Sequence, residues 1–385
     1  MKIVELGGSK GVTERMLRMG MVGGGQGAFI GDVHRLAARL DGKIELVAGA
    51  FSRSEENCKA TGAMLGLDPS RCYASFAEMM SSEAALPDDK RMDFVAIVTP
   101  NHMHFPVAEA ALRAGFHVLS DKPATLDLKE AIELRSLVQE TGKTYGLTHT
   151  YLGYPLVTAA REIVAAGEIG KVRKIFVEYI QGWLAGEVDN KQADWRTDPA
   201  RSGISGCMGD IGTHAHNLAE YVTGKRMTHV AADLSIFVDN RRLDDDGSAL
   251  FRMDDGVKGV LSASQVCVGK ENSLSIRVYG ETGGLEWNQE EPNTLTRTYT
   301  DKPTEILRSA QGYLSDSVNQ WFRTPPGHPE GYIEAFANVY LDFANAIREN
   351  RDVTTGVSGA VRGMAFIEAL VESSNNNSAW TEISA

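Results

Sequence analysis

Asp210 and His214 stand four residues apart in SGISGCMGDIGTHAHNLAEY, a spacing that places both on one face of a helix and within reach of one another. A histidine beside a carboxylate is a standard arrangement for moving a proton at neutral pH. Gly203, Gly206 and Gly209 precede the pair and keep its approach open. His216 lies two residues further on and off that face, so its part is secondary. Asp210, His214 and His216 also carry metal-ligand atoms, but no cysteine or carboxylate cluster accompanies them and no metal is expected. A helix cap is the structural alternative for Asp210. Lys122 follows an apolar run in SDKPAT and precedes Pro123. An ammonium at such a strand end can donate to a substrate hydroxyl, or lose its proton when desolvated. The proline fixes the local backbone and leaves a cis bond open. Taken alone, the motif is a surface lysine in a turn.

A second group of residues suits a phosphate-bearing ligand. In VGGGQGA, Gly23 permits a tight turn and Gly25 lets backbone approach a phosphate. Ala28 stands where a third glycine would let a helix press on a strand. Gln26, Gly27, Phe29 and Ile30 complete the turn and the helix start, whose free N–H groups favour an anion. Between a strand and a helix this is a dinucleotide-binding pattern. The next strand ends AGAFSR, without the acidic residue that binds an adenosine ribose; Ser52 and Arg53 instead suit a 2′-phosphate and favour NADP over NAD. TPNHMH closes a third strand, and there Thr99, Pro100, Asn101 and His104 are candidates for the ribose and nicotinamide. Local helix-start bonds are the plainer alternative for Asn101 and His104.

These residues need strand ends and helix starts to hold them. Up to about residue 149 strand and helix patterns alternate, from LRMGMVGG through KIELVAGAFS, FVAIVTP, HVLSDKP and TYGLTH, which implies a parallel, doubly wound sheet. In the first helix Phe29, Val33, Leu36 and Leu40 share one face. After residue 150 one more helix precedes strands of alternating polarity joined by Gly- and Asp-rich turns, which reads as a largely antiparallel sheet. One face of such a sheet packs on helices, and the other is left as a surface for oligomer formation. Residues 330–349 and 356–374 are helical again. The expected division is 1–149, with a leader over 1–17, and 150–385. Two domains suit 385 residues at roughly 100–200 per domain.

Composition narrows the partners. A net charge of -12 with scattered basic residues gives no footprint for nucleic acid and no attraction to an anionic membrane. No apolar run reaches the roughly 18 residues of a spanning helix. Cys58, Cys72, Cys207 and Cys267 form no CxxC pair, which fits a reducing cytoplasm.

Together these motifs resemble the Gfo/Idh/MocA oxidoreductases, the family of glucose-fructose oxidoreductase and inositol dehydrogenase. VGGGQGA is similar to its glycine turn and TPNHMH to its cofactor loop. SDKP is similar to its Glu-Lys-Pro, with Asp121 in place of Glu, and Trp195-Arg196 followed by Gly209-Asp210-Ile211-Gly212-Thr213-His214 resembles its downstream signature. The resemblance implies an α/β fold: an N-terminal doubly wound Rossmann domain, then an α+β domain whose large, mostly antiparallel open sheet often forms homodimers or homotetramers. It implies that Lys122 and His214 handle a substrate hydroxyl proton, that Asp210 orients or binds, and that Asp121, Pro123, Trp195 and Arg196 lie near cofactor or substrate. The glycine run before Asp210 is interrupted (SGISGCMGD), and Asp121 is one methylene shorter than Glu.

The expected activity is hydride transfer between NAD(P) and a secondary hydroxyl of a sugar, cyclitol or sugar derivative, with Asp210 fixing His214. Two alternatives stand beside it. One is a glycosidase that oxidises a sugar transiently on a tightly held NAD, its pocket lined by His149, Tyr151, Tyr154 and Trp183. The other is a cofactor-sensing protein on the same fold, against which the trio Lys122, Asp210 and His214 speaks. His328, Glu330 and Tyr332 in GHPEGY are a further substrate candidate, or simply a helix-entry loop.

Overall fold

Five apolar runs pair in parallel in the computed structural model, which describes residues 15–188 and 190–384. The leader expected over 1–17 falls, as far as residue 14, outside the described residues. The strands are β1 (Leu17–Gly23), β2 (Ile44–Ala50), β3 (Phe94–Val98), β4 (His117–Ser120) and β5 (Tyr145–Leu147), ordered β2-β1-β3-β4-β5. Every residue of β3 is buried, as a strand covered on both faces requires. The chain order reverses between β1 and β3, where open α/β sheets bind ligands beyond the strand ends. Helices α1 (Phe29–Arg39), α2 (Glu55–Met64), α3 (Phe76–Ala84), α4 (His104–Arg113) and α5 (Leu128–Thr141) cover the two faces.

Apart from Val33, the shared apolar face of α1 is not the one that packs. Phe29, Leu36 and Leu40 are exposed, and the helix packs through Gly31, Val33, His34, Ala37 and Ala38. Small side chains let α1 lie close to β1, so the large apolar residues are turned outward.

The second sheet follows α6 (Pro155–Ala165). Its strands are β6 (Lys174–Ile180), β7 (Met227–Ser235), β8 (Asp246–Met253), β9 (Lys258–Ser264), β10 (Ser273–Tyr279), β11 (Gly283–Asn288), β12 (Thr294–Tyr299), β13 (Glu305–Arg308) and β14 (Thr381–Glu382). They run in the order β13-β12-β11-β10-β6-β9-β8-β7-β14, antiparallel except where β6 meets β9. In β8, Ala249, Phe251 and Met253 are buried while Ser248, Leu250 and Arg252 are exposed, so one face packs and the other is open. Short helices α7 (Lys191–Arg196) and α8 (Pro199–Ser202) lead to α9 (Thr213–Thr223), and α10 (Asp316–Asn319), α11 (Tyr332–Glu349) and α12 (Val357–Asn375) follow the sheet. Helix α11 returns to the first sheet, where Phe336, Tyr340 and Phe343 join the core containing Met19, Phe94 and Leu119. The fold is therefore a parallel Rossmann sheet joined to a large, mostly antiparallel one.

Candidate active site

The glycine turn is built by contact limits. Gly23 has φ +86°, and a side chain there would meet the Val98 carbonyl. A Cβ on Gly25 would stand 2.5 Å from Asn57 Oδ1 and 2.9 Å from the Phe51 carbonyl. Close helix packing, expected at Ala28, occurs one turn later: a Cβ on Gly31 would lie 2.5 Å from Gly24 Cα. The amides of Gly25 and Gln26 donate to Phe51 O and Thr61 Oγ1, both at 3.1 Å, and tie the turn to β2 and α2. No side chain caps α1 at Ala28, so the first-turn N–H groups remain open to an anion. Thr99 Oγ1 and Asn101 Oδ1 are buried without hydrogen-bond partners, while Asn101 Nδ2 donates to Ser202 O at 2.9 Å. A backbone cradle, an uncapped helix start and orphaned polar atoms beyond β3 fit a dinucleotide. Ser52 Oγ accepts from Ser54 N and Arg53 is exposed. His104 does not fit the expected contact with a ligand. Its two ring nitrogens sit on the carbonyls of Pro123 (2.6 Å) and Thr99 (2.9 Å), so it braces the loop after β3 against the one after β4.

Lys122 precedes a cis bond to Pro123. Its Nζ donates to both the main-chain oxygen and Oδ1 of Asp210, each at 2.5 Å. The other carboxylate oxygen, Oδ2, accepts from Gln265 Nε2 at 3.0 Å and Arg196 Nε at 3.3 Å. Burial alone would raise the Asp210 pKa, but the Lys122 ammonium and Arg196 guanidinium outweigh it and hold the carboxyl well below the usual carboxylate range. The expectation that Asp210 fixes His214 is corrected here. Among the described residues no hydrogen bond joins the two, because Met208–Gly212 forms a π turn rather than an α turn and the carboxylate is occupied by three other side chains. Asp244, missed in the sequence, fixes that turn: its two carboxylate oxygens accept from Gly206 N and Met208 N, both at 2.8 Å. Its carbonyl accepts from Cys207 N at 2.8 Å and lies where a Gly206 side chain would be.

His214 is buried against aromatic rings, with Tyr151 at 4.8 Å and His149 at 5.4 Å between centroids, both edge-on. The Nδ1 atoms of both histidines have no hydrogen-bond partner. Burial, then the nearby Lys122 charge, pushes His149 down to about 3 and His214 well below the imidazole range, so both rings are neutral. Below them runs a chain of polar groups. Tyr151 and Tyr179 share a hydroxyl–hydroxyl bond; Tyr179 OH donates to Asn272 Oδ1 at 2.6 Å, and Gln181 Nε2 donates to the same oxygen at 2.7 Å. Trp183 Nε1 donates to Gln181 Oε1 at 3.0 Å. Tyr179, Gln181, Gln265 and Asn272 were not singled out by sequence; the signal available was the alternation Tyr179-Gln181-Trp183, which starts in β6 and runs off its end, beside Gln265 just past the end of its parallel neighbour β9.

The other candidates sort by geometry. Arg196 stacks on Trp195 at 4.3 Å while reaching Asp210. Asp121 Oδ1 accepts from the Lys122 amide at 2.8 Å and Thr148 Oγ1 at 2.9 Å. His216 stacks on Phe366 at 4.3 Å and faces Glu220 at 3.3 Å, outside the site. His328 is exposed and Glu330 accepts from Arg323 N and Thr324 N, so GHPEGY is a helix-entry loop; only Tyr332 nears the site, 6.3 Å from Tyr151. Among the described residues no group of three or more His, Cys, Asp or Glu is placed to hold a metal ion.

This architecture is that of known oxidoreductases. Residues 17–149 match the oxidoreductase family with an NAD-binding Rossmann fold, and residues 157–286 match the GFO/IDH/MocA C-terminal domain. An inositol dehydrogenase homolog from Azotobacter vinelandii, solved with NAD+, superposes with a TM-score of 0.92 at 33% identity, covering 96% of this chain and 97% of that one. The uncharacterized oxidoreductase YfiI of Bacillus subtilis is 33% identical, over 96% of this chain and 98% of its own length. Levoglucosan dehydrogenase of Pseudarthrobacter phenanthrenivorans is 25% identical, over 95% and 98%. The chain is a member of the Gfo/Idh/MocA family, an NAD-binding oxidoreductase.

Proposed function

We propose that this protein catalyses reversible hydride transfer between a nicotinamide dinucleotide and a secondary hydroxyl of a sugar, cyclitol or sugar derivative. The observation that carries it is the Lys122 ammonium clasped by Asp210 beside the neutral imidazoles of His149 and His214. When bound, the dinucleotide supplies the hydride acceptor. Asp210 takes two of the three Lys122 hydrogens. The third is left for the substrate oxygen, where positive charge stabilises a developing alkoxide. The neutral imidazole of His214 accepts the hydroxyl proton and returns it in the reverse direction. His149, Tyr151, Trp183, Tyr179, Gln181 and Asn272 offer the hydroxyl, amide and ring surface that a polyol needs. A panel of sugars, inositols and sugar acids, followed by NAD(P)H absorbance, tests the reading; failure of every member to reduce either cofactor overturns it.

The cofactor reading keeps NADP beside NAD. Arg53 is exposed off the end of β2, and it acts electrostatically on His102, as does Arg201, so an adenosine 2′-phosphate would meet positive charge there. Gly23, Gly25, Gln26, Gly27, Ala28, Phe29 and Ile30 would hold the pyrophosphate, and Ser52, Arg53, Thr99, Pro100, Asn101, Asp121, Pro123 and Trp195 would line the rest. Further proposals concern the molecule as a whole: a division near residues 149–150, a homodimer or homotetramer through the open face that carries Ser248, Leu250 and Arg252, and a cytoplasmic location consistent with four free cysteines. No described helix is long and apolar enough to cross a membrane.

A further inference from the structure

His34 is fully buried on α1, the helix that begins at the glycine turn. Its Nδ1 lies 2.7 Å from the hydroxyl of Tyr340 on α11. Its Nε2 is buried without a hydrogen-bond partner, and the nearest acid to it is Asp121, whose Oδ2 is 3.9 Å away. The other oxygen of that carboxylate accepts from the main-chain amide of Lys122 and from Thr148. A line of contacts thus runs from Tyr340 through His34 and Asp121 to the backbone of Lys122. Burial keeps the Tyr340 phenol protonated, so its hydroxyl bonds Nδ1 from one side of the ring while Nε2, on the other side, faces the carboxylate. A core histidine with no further part would have both nitrogens satisfied or pack among apolar groups alone.

We propose that His34 is a positioning residue for Lys122, acting through Asp121, and the proposal rests on the hydride-transfer reading for its bearing on catalysis. Lys122 has to present Nζ to Asp210 and to the substrate oxygen at once, and its main chain is held at one side by the Asp121 carboxylate. Catalytic groups tolerate displacements of only about 0.5 Å, so the partner that fixes this carboxylate sets the geometry of the lysine. Asp121 carries one methylene fewer than the glutamate its motif resembles; the shorter arm gives His34 a carboxylate that must be held from the far side. Closing 3.9 Å to an ordinary hydrogen bond needs a movement of roughly 1 Å, within the tightening expected when a site fills.

The test uses the full chain without substrate as well as in turnover. His34→Gln removes the imidazole; Tyr340→Phe keeps ring volume and deletes only the hydroxyl that holds His34 Nδ1. Lys122 is labelled with an amine-reactive reagent at limiting concentration and its modified peptide quantified against that of the exposed Lys129, in the absence of cofactor. The expected result in both variants is a rise of about threefold or more in Lys122 labelling relative to Lys129, as a loosened lysine leaves Asp210. Where a substrate is turned over, kcat falls about tenfold or more with KM within about twofold. Should His34→Gln fail to fold, Tyr340→Phe decides alone. Wild-type labelling of Lys122 in folded Tyr340→Phe overturns the proposal. Absence of any oxidisable substrate overturns the hydride-transfer reading instead, and leaves the labelling result standing by itself.

Discussion

The ammonium of Lys122 grips Asp210 twice, at the carboxylate and at the main-chain oxygen of the same residue, each at 2.5 Å. The second contact falls on a main-chain oxygen within the π turn Met208–Gly212, so the lysine is held at the irregular part of the helix. Asp210→Asn keeps the shape and removes the charge that answers Lys122 and Arg196. The expected result is a loss of about 2–3 kcal/mol in urea unfolding, from two largely buried cations left without their counter-ion, and a fall in kcat of about a hundredfold. Unfolding and turnover within error of wild type would contradict the clasp.

Gly31→Ala sets two effects against each other. Alanine favours a helix interior by about 1 kcal/mol over glycine. The new Cβ would lie 2.5 Å from Gly24 Cα and 2.7 Å from its carbonyl oxygen, backbone atoms that cannot step aside. Overpacking of this kind costs about 1–3 kcal/mol, so a net loss of Tm is expected together with a weaker dinucleotide Kd, read by NADH fluorescence. A stabilised protein with unchanged Kd would show that α1 does not press on the turn at Gly31.

Histidine burial sets the acid limb of stability. His149 is pushed down to about 3 and His117 to about 4, both by burial first. Folded pKa values below the unfolded one mean that the unfolded chain binds more protons, so stability is full above about pH 6.5 and is lost as pH falls toward the folded values. Each such histidine contributes a slope of about 1.4 kcal/mol per pH unit in that window. Urea midpoints measured between about pH 6.5 and 4 should fall with a slope of at least about two protons, and His149→Gln should remove about one of them. A flat profile over that range sinks the assignment of neutral buried rings.

Arg53→Ala separates the two dinucleotides. Deleting one cation at the end of β2 is expected to raise KM for NADP about tenfold and to leave KM for NAD within about twofold. Equal effects on both would remove Arg53 from the 2′-phosphate site, and a wild-type KM for NAD far below that for NADP would remove the preference altogether.

The legible part of this molecule was whatever depends on local periodicity or on fixed spacing. The parallel strands, the glycine turn, and the order Lys122, Asp210, His214 could all be read from the chain. The packing face of α1 was not legible because a helix packing through Gly31 and two alanines hides its contact face from an apolar count, while Phe29 and Leu36 stand exposed. The partner of Asp210 was misread because i,i+4 geometry assumes α pitch, and the π turn is set by Asp244, far along the chain. Tyr179, Gln265 and Asn272 reach the site only through strand pairing of β6 with β9 and β10, which no single segment encodes.

The central claim is that Lys122, clasped by Asp210, serves net oxidation of a secondary alcohol. Wild type and Lys122→Met, both shown to bind dinucleotide, are to be incubated with each member of a panel of sugars, cyclitols and glycosides, measuring NAD(P)H formed and ketone produced. The account predicts equal amounts of NAD(P)H and ketone from at least one free sugar or cyclitol with wild type, and a loss of about a hundredfold or more in kcat with Lys122→Met. Glycoside cleavage without net NAD(P)H, or undiminished turnover by Lys122→Met, would contradict it.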